Sequence, residues 1–109
     1  AQALALALQA MDSGSDQLLP EVARVFMYLP LEHAEDPAMQ QRSVAAFEAL
    51  LQSATDAELR EYLAGTLDYA HRHQDVIESF GRFPHRNAIL GRTSTAQEND
   101  YLAQPGSGF

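Results

Sequence analysis

The segment from Thr55 to Gly81 most constrains the fold, because its apolar residues recur at steps of three and four. This spacing places them on one face of a single long helix. Thr55 and Glu58 fit a capping box, which predicts where the helix begins, and Gly81 predicts where it ends. Gly65 lies inside the helix at a cost of about 1 kcal/mol relative to alanine and permits a bend. The stripe consists of Leu59, Tyr62, Leu63, Thr66, Ala70, His73, Ile77 and Phe80.

The segments before this helix also predict helical structure. Ala1 to Met11 consists mainly of alanine and leucine, which are strong helix formers. Asp12 to Asp16 reads as a loop, and a short helix is expected from Pro20 to Tyr28. Leu29 to Asp36, with the sequence LPLEHAED, is predicted to be a proline-containing acidic connector.

Start and stop signals place the remaining helices. Asp36-Pro37 predicts a helix to Ser53, because aspartate caps free amides and proline has no amide to leave unpaired. Asn87 is expected to cap a one-turn helix that Gly91 ends. Thr95 to Glu98 fits a second capping box, which opens a last helix through Leu102.

These elements predict an all-α protein, an antiparallel array of about five or six helices. The 109 residues, 46% of them hydrophobic, suit a single domain over residues 1–109, with residues 103–109 as a flexible tail. No strand pattern competes with this interpretation.

Charge is distributed unevenly along the chain. Its net charge is −8, yet Ser79 to Gln97 contains three arginines and no acidic residue, which gives that segment +3. The rest of the chain contains four arginines and fifteen acidic residues, which gives it a net charge of −11. An acidic surface repels phosphate backbones, and we therefore expect no nucleic-acid partner. A confined group of arginines can still hold one small anion.

Missing residue types exclude several kinds of chemistry. The chain has no cysteine, which excludes disulfides, thiolate nucleophiles and cysteine zinc sites. All seven basic residues are arginine, so a phosphate-binding loop with its lysine and a Schiff-base lysine are excluded. The N-terminal apolar stretch is too short for a membrane span, and it lacks the basic flank of a signal peptide. We expect a cytoplasmic protein with no membrane association, no cofactor and no metal.

Several motifs resemble those of a known family. The connector Leu29–Asp36, the segment QQRSVAAFEAL that follows it, and the block Phe80–Thr95 ending in Gly-Arg-x-Ser-Thr are similar to the C-terminal half of bacterial domain-of-unknown-function family 924. The resemblance implies a helical array similar to tetratricopeptide repeats and no established activity. Family members usually have an N-terminal half with a second segment similar to Phe83–Asn87, which is not found in this sequence.

The arginine-rich block has two interpretations. In the structural one, its arginines pair with acids of the LEHAED connector. In the functional one, its basic side chains converge with backbone amides near Asn87 to hold a phosphate or carboxylate. The candidate binding residues are Arg82, His85, Arg86, Asn87 and Arg92, with Glu32, His33, Glu35 and Asp36 from the connector.

The histidines suggest two further kinds of site. Glu32, His33, Glu35 and Asp36 have the atoms to bind a divalent metal, but we favour them as ion-pair partners of Arg42, Arg82 and Arg86. His71 and His73 point about 200° apart on one helix and cannot chelate together, and His73 is expected to be a hydrogen-bonded core residue.

Two functional hypotheses follow. The first is a non-enzymatic module that binds a small anion or a partner protein. The second is an enzyme on a small anionic substrate, in which His85 or His33 works with Glu32 or Glu35 as an acid–base pair. A homodimer is also expected, because the Ala/Leu-rich first helix of a half-length chain would leave an apolar face to cover.

Overall fold

Six α-helices follow one another along residues 2–108, the part of the chain that the computed structural model describes. Ala1 and Phe109, at the ends of the predicted first helix and tail, lie outside the described residues. Those residues contain no strand, so the all-α prediction is confirmed. The helices are α1 (Gln2–Ser13), α2 (Glu21–Glu32), α3 (Pro37–Ser53), α4 (Ala57–Phe80), α5 (Asn87–Leu90) and α6 (Ala96–Leu102), with 3₁₀ turns at Ser15–Leu18 and Pro84–Arg86.

The predicted caps are confirmed at the start of α3 and α6 and are wrong at the start of α4 and α5. Asp36 Oδ1 accepts the amides of Ala38 and Met39 at the start of α3. The capping box of α6 is complete, with reciprocal bonds between Thr95 and Glu98. In α4 the cap is Asp56, whose carboxylate accepts the Leu59 amide at 2.9 Å, and not Thr55. A charged carboxylate also interacts more favourably with the helix dipole than a hydroxyl does.

Helix α2 is one turn longer than expected, since it continues through Pro30 to Glu32. Proline lacks only its own amide, so one backbone bond is lost in the last turn. Helical hydrogen bonding continues after Pro30, since the His33 amide donates to the Leu29 carbonyl at 2.9 Å. The first half of the predicted connector is therefore helical, which places Glu32 on a helix and not in a loop.

Asn87 does not cap α5, contrary to the prediction. It is the first residue of the helix, and its buried side chain faces the turn that follows. Nδ2 donates to Ser94 Oγ at 3.0 Å, and Oδ1 accepts from Arg92 Nε at 3.0 Å. The amide therefore joins two parts of the block. Gly91 ends the helix with φ 68°, as expected.

The main core lies between α2, α3 and α4. Helices α3 and α4 make the most extensive contact, and α2 packs on α3. Tyr28 meets Phe47 edge to face, with ring centroids 5.8 Å apart. The buried apolar residues of this cluster are Val25, Tyr28, Phe47, Leu50, Ala54, Leu63 and Ala70.

A second, smaller apolar cluster lies at the other end of α4. It consists of Val76, Ile77 and Phe83, with Phe80 and Tyr101 packed against it. The two clusters give an elongated molecule of 44 × 30 × 19 Å. Polar residues of α2 and α4 lie along the same helix faces between them, which positions the candidate site described below.

Two smaller observations complete the fold. Among residues 2–108, no helix combines the length and apolarity that a bilayer crossing requires. In the segment expected to be a tail, the Ser107 carbonyl accepts the Tyr101 hydroxyl at 3.0 Å. The mobility of that tail, the single domain, the repeat character and the dimer stay predictions.

The Tyr28–Asp16 pair gives a first test. Tyr28 donates its hydroxyl to the buried carboxylate of Asp16 at 2.6 Å. Burial, together with that carboxylate, raises the pKa of Tyr28 to about 12. We expect Tyr28→Phe to lower the free energy of unfolding by about 1–3 kcal/mol, because it removes a hydrogen bond from a buried carboxylate. Urea denaturation at pH 7 measures this value.

Tyr62→Phe is the matched control, since Tyr62 is 46% exposed. Its effect should stay within about 0.5 kcal/mol. Equal effects of the two substitutions would contradict the assignment.

Candidate functional site

Glu35 ties the arginine-rich block to the helical array. This residue lies in the short loop between α2 and α3. Its carboxylate accepts the Phe83 amide at 2.6 Å and a two-pronged contact from Arg92 at 3.0 and 3.1 Å. The Arg92 bonds are the main reason why the pKa of Glu35 is lowered. Arg92 also donates to the Phe83 carbonyl at 3.2 Å, so its guanidinium is committed to structure.

Arg82 is committed to a different carboxylate. Its Nε and Nη2 bind the two oxygens of Glu98 at 2.8 and 2.7 Å, and Nη2 also reaches the Thr93 carbonyl. The hydrogen bond from Arg82, followed by the Thr95 amide, lowers the pKa of Glu98 to about 2. The expectation that Arg82 pairs with the connector is therefore wrong.

Arg42 also pairs outside the connector, with Asp12 on α1 at 3.0 Å. Of the connector acids, Asp36 caps α3 and Glu35 binds Arg92. Within the described residues, Arg92 is the one arginine of the block whose guanidinium pairs with a carboxylate of the connector. The predicted pairs of Arg42, Arg82 and Arg86 with connector acids are wrong, because ion pairs form between groups that are close in the fold and not between groups that are close in the sequence.

Arg86 differs from these arginines. Its guanidinium carbon lies 4.6 Å from the centroid of the buried Phe83 ring, a cation–π contact that orients it. Within residues 2–108 the guanidinium makes neither a hydrogen bond nor an ion pair. Its positive charge is felt by the nearby histidines: after burial, it is a further cause of the lowered pKa of His33 and of His85.

A polar cluster lies beside Arg86 and includes a buried acid. Glu32 is 4% exposed, and burial raises its pKa to about 7. Its two carboxylate oxygens lie 3.8 Å from His33 Nε2 and 3.9 Å from His73 Nδ1. Burial also lowers the pKa of His73, whose Nδ1 lies 2.7 Å from the Tyr69 carbonyl.

Aromatic rings connect this cluster to the block. The rings of His33 and His73 lie 5.7 Å apart, and His73 meets Phe83 nearly edge to face at 5.5 Å. Phe83 in turn lies 5.9 Å from His85. Phe83 is therefore the buried centre on which His73, His85 and Arg86 all pack.

Helix periodicity explains why Glu32 and His73 are buried. Val25, Tyr28 and Glu32 follow one another at steps of three and four on the core face of α2. On α4, Ala70, His73 and Val76 share the buried face in the same way. Both polar residues take positions at which an apolar side chain would be expected.

An open cleft of about 480 Å³ reaches this region from the surface. His33 and Arg86 provide its polar lining, and Leu4, Phe26, Leu29 and Pro30 provide most of its apolar lining. The His33 side chain is 52% exposed, so one edge of the polar cluster is open to the cleft.

The structure thus divides the predicted site residues into two groups. Glu32 and His33 lie beside His73, and His85 and Arg86 pack on Phe83; their ligand-binding role stays a prediction. Arg82, Asn87, Arg92, Glu35 and Asp36 hold the fold together through the contacts given above.

Sequence reasoning missed His73 as a partner of the connector, although it placed this residue correctly in the core. The available signal was the spacing of Glu32 from Val25 and Tyr28. This spacing places Glu32 on the core face only if helix α2 continues past Pro30.

Comparison with known proteins gives a family but no activity. The family model "Bacterial protein of unknown function (DUF924)" matches residues 1–106. The chain is similar to the solved structure of a protein of unknown function, ATU0120, from Agrobacterium tumefaciens, with 41% sequence identity and a TM-score of 0.77. The match covers 94% of this chain and 51% of that one, so the chain spans about half the length of that protein. No curated protein matches the chain.

The role of Glu35 can be tested by hydrogen exchange. Glu35→Gln removes the charge that holds Arg92 and the Phe83 amide. We expect backbone amides of residues 83–92 to exchange about tenfold faster or more, with little change in α3 and α4. Mass spectrometry measures the exchange, and Glu48→Gln on an exposed face is the control. Unchanged protection of residues 83–92 would refute the role of Glu35.

The Arg82–Glu98 pair predicts a pH dependence. Because the pKa of Glu98 is about 2 in the folded protein and ordinarily 4.5, its contribution to stability is fully present above about pH 4.5. That contribution is lost as the pH falls towards 2. Glu98→Gln should therefore lower the melting temperature at pH 7, and the difference from wild type should shrink in acid.

Circular dichroism melts at several pH values measure this difference. Glu78→Gln, at an exposed position of α4, is the control and should show no such trend. A difference for Glu98→Gln that is as large at pH 2.5 as at pH 7 would exclude the charged pair as its cause.

Proposed function

Because the chain belongs to the DUF924 family, whose description names no activity, we propose a function from its site: the cleft beside Arg86 and His33 binds a small organic anion with an apolar part. The observation that carries this proposal is the uncommitted charge of Arg86. The other six of the seven arginines each donate at least one hydrogen bond or ion pair within residues 2–108. The Arg86 guanidinium donates none there.

An uncommitted guanidinium is informative in this protein. With a net charge of −8, carboxylates are abundant, and a structural arginine has many potential partners. Glu35 contributes to the electrostatic environment of Arg86, but both of its oxygens are bonded to Arg92 and Phe83. The planar fork of Arg86 therefore remains available for a carboxylate or phosphate from outside.

The cleft defines the remaining part of the ligand. Its volume of about 480 Å³ falls in the range of small-molecule sites, which is roughly 300–1,000 Å³. Phe26, Leu29 and Pro30 form an apolar wall beside the charged groups. An anion with a small aromatic or aliphatic body satisfies both surfaces, and the half-exposed ring of His33 can donate or accept a further hydrogen bond.

The acid–base alternative uses the same region and stays a prediction. Glu35 is a poor candidate for it, because Arg92 and the Phe83 amide occupy its carboxylate and lower its pKa. His33 has a carboxylate neighbour in Glu32 at 3.8 Å. Binding of an anion needs neither group to transfer a proton, so the binding proposal is tested separately.

Arg86→Gln tests the proposal directly. Isothermal titration with benzoate, phenyl phosphate and inorganic phosphate should give binding of at least one aromatic anion to the wild-type chain. The substitution should weaken it by about tenfold or more, since a charged hydrogen bond contributes about 1.5–3 kcal/mol. Binding should also weaken as salt is raised.

Two controls sharpen this experiment. Arg72→Gln removes an exposed arginine that pairs with Asp68 on α4, and it should leave binding unchanged. Benzamide, which has the ring of benzoate without its charge, should bind much more weakly. Equal binding of benzoate and benzamide, or no effect of Arg86→Gln, would refute the proposal.

A further inference from the structure

We propose that Glu32, His33 and His73 form a binding site for a divalent transition-metal ion. Each residue offers one ligand atom, and these atoms all lie within 4.8 Å of one another. Glu32 and His33 come from the end of α2, and His73 comes from the buried face of α4. This set differs from the connector cluster considered in the sequence, because Glu35 and Asp36 are bound elsewhere and His73 takes their place.

The strongest support is the state of the Glu32 carboxylate. Its side chain is only 5% exposed, and its two oxygens have the imidazoles of His33 and His73 as their ion-pair neighbours. The imidazole nitrogens at 3.8 and 3.9 Å are beyond hydrogen-bonding distance. A buried carboxylate is costly unless it is closely paired or coordinates a metal. A cation between the three side chains would provide that stabilisation.

His73 shows the hydrogen bond that metal-binding histidines usually make. Its Nδ1 lies 2.7 Å from the Tyr69 carbonyl, which can only accept, so Nδ1 carries the proton. The lone pair that a metal requires then lies on Nε2, whereas the nitrogen 3.9 Å from the Glu32 carboxylate is Nδ1, so coordination requires the His73 ring to shift towards Glu32. A backbone carbonyl that fixes the tautomer and ring in this way is the common arrangement behind a ligating histidine.

The ligand types narrow the choice of metal. One carboxylate oxygen and two imidazole nitrogens suit Zn²⁺, Co²⁺ or Fe²⁺, whereas Ca²⁺ and Mg²⁺ prefer oxygen ligands. Bonds of about 2.0–2.2 Å bring ligand atoms to about 3.4 Å from one another, so side-chain movements of about 1 Å close the site. Three protein ligands leave a coordination position for water.

Nearby charges act in both directions on such an ion. Arg86 opposes a cation here, as its effect on the pKa of His33 and of His73 indicates, and His85 also faces the cluster. Glu32 provides a negative charge within the cluster, and the Glu35 carboxylate is bonded to the Phe83 amide. We therefore expect micromolar affinity for Zn²⁺, weaker than in a site without a neighbouring arginine.

Titration of chelator-treated protein with ZnCl₂ tests the site. We expect one Zn²⁺ per chain in isothermal titration, and visible absorption of low-coordinate Co²⁺ when that ion is the probe. His33→Gln and Glu32→Gln should each weaken Zn²⁺ binding by about tenfold or more. His33 is half exposed, so this variant provides the test even where the substitution at buried Glu32 impairs folding.

His71→Gln is the matched control, because His71 is an exposed histidine on the same helix and outside the cluster. It should bind Zn²⁺ like the wild type. Absence of stoichiometric binding, or His33→Gln binding as tightly as His71→Gln, would overturn the proposal.

Arg86→Gln separates the metal site from the anion site. This substitution removes a positive charge near the cluster, so Zn²⁺ should bind as tightly or more tightly. The same substitution is expected to weaken anion binding. Weaker Zn²⁺ binding in Arg86→Gln would show that the ion is held elsewhere and overturn the metal assignment, whatever the outcome for anions.

Discussion

The carboxylate of Glu35 is the contact on which the arrangement of the site depends. It joins the α2–α3 loop to the Phe83 amide, 48 positions later, and to Arg92, 57 positions later. Local sequence preferences cannot fix segments so far apart, whereas three charge-assisted bonds to one side chain can. Because they fix the backbone of Phe83, they also place the ring on which Arg86 and His85 pack. The geometry of the polar cluster is thus set from outside it, by a residue that takes no part in it.

The ion pairs of the arginine-rich block explain why only one of its arginines remains for a ligand. Two carboxylates hold the block in place: Glu98 binds Arg82 and closes the capping box of α6, and Glu35 binds Arg92 and the Phe83 amide. Two of the block's three positive charges are thereby used to hold its own turns together. The +3 segment that stands out in the sequence presents a single available guanidinium, which is enough for one anion but not for a phosphate backbone.

Signals that act within one turn of chain could be read from the sequence. The caps at Asp36 and Thr95 and the helix end at Gly81 depend only on nearby residues, and all three are confirmed. Two further local signals, the caps expected at Thr55 and Asn87, are wrong. The remaining errors have a different origin. Whether Pro30 ends a helix, and which acid pairs with Arg82 or Arg42, depends on what packs nearby in three dimensions. The contact between His73 and Glu32 could not be predicted for the same reason. The sequence shows that His73 lies on the core face of its helix, but it does not show which residue of another helix lies beside it.

The composition of the core supports the proposal that the polar cluster has a role other than stability. Glu32 and His73 occupy core-facing helix positions between two apolar clusters, where leucine or methionine would pack without a desolvation cost. Replacing buried ionisable groups with apolar ones of similar volume is often neutral or stabilising. Positions at which a sequence breaks its own hydrophobic pattern tend to be functional. Here two such positions, on different helices, face each other beside an uncommitted arginine and an open cleft, which is a combination that packing alone does not require.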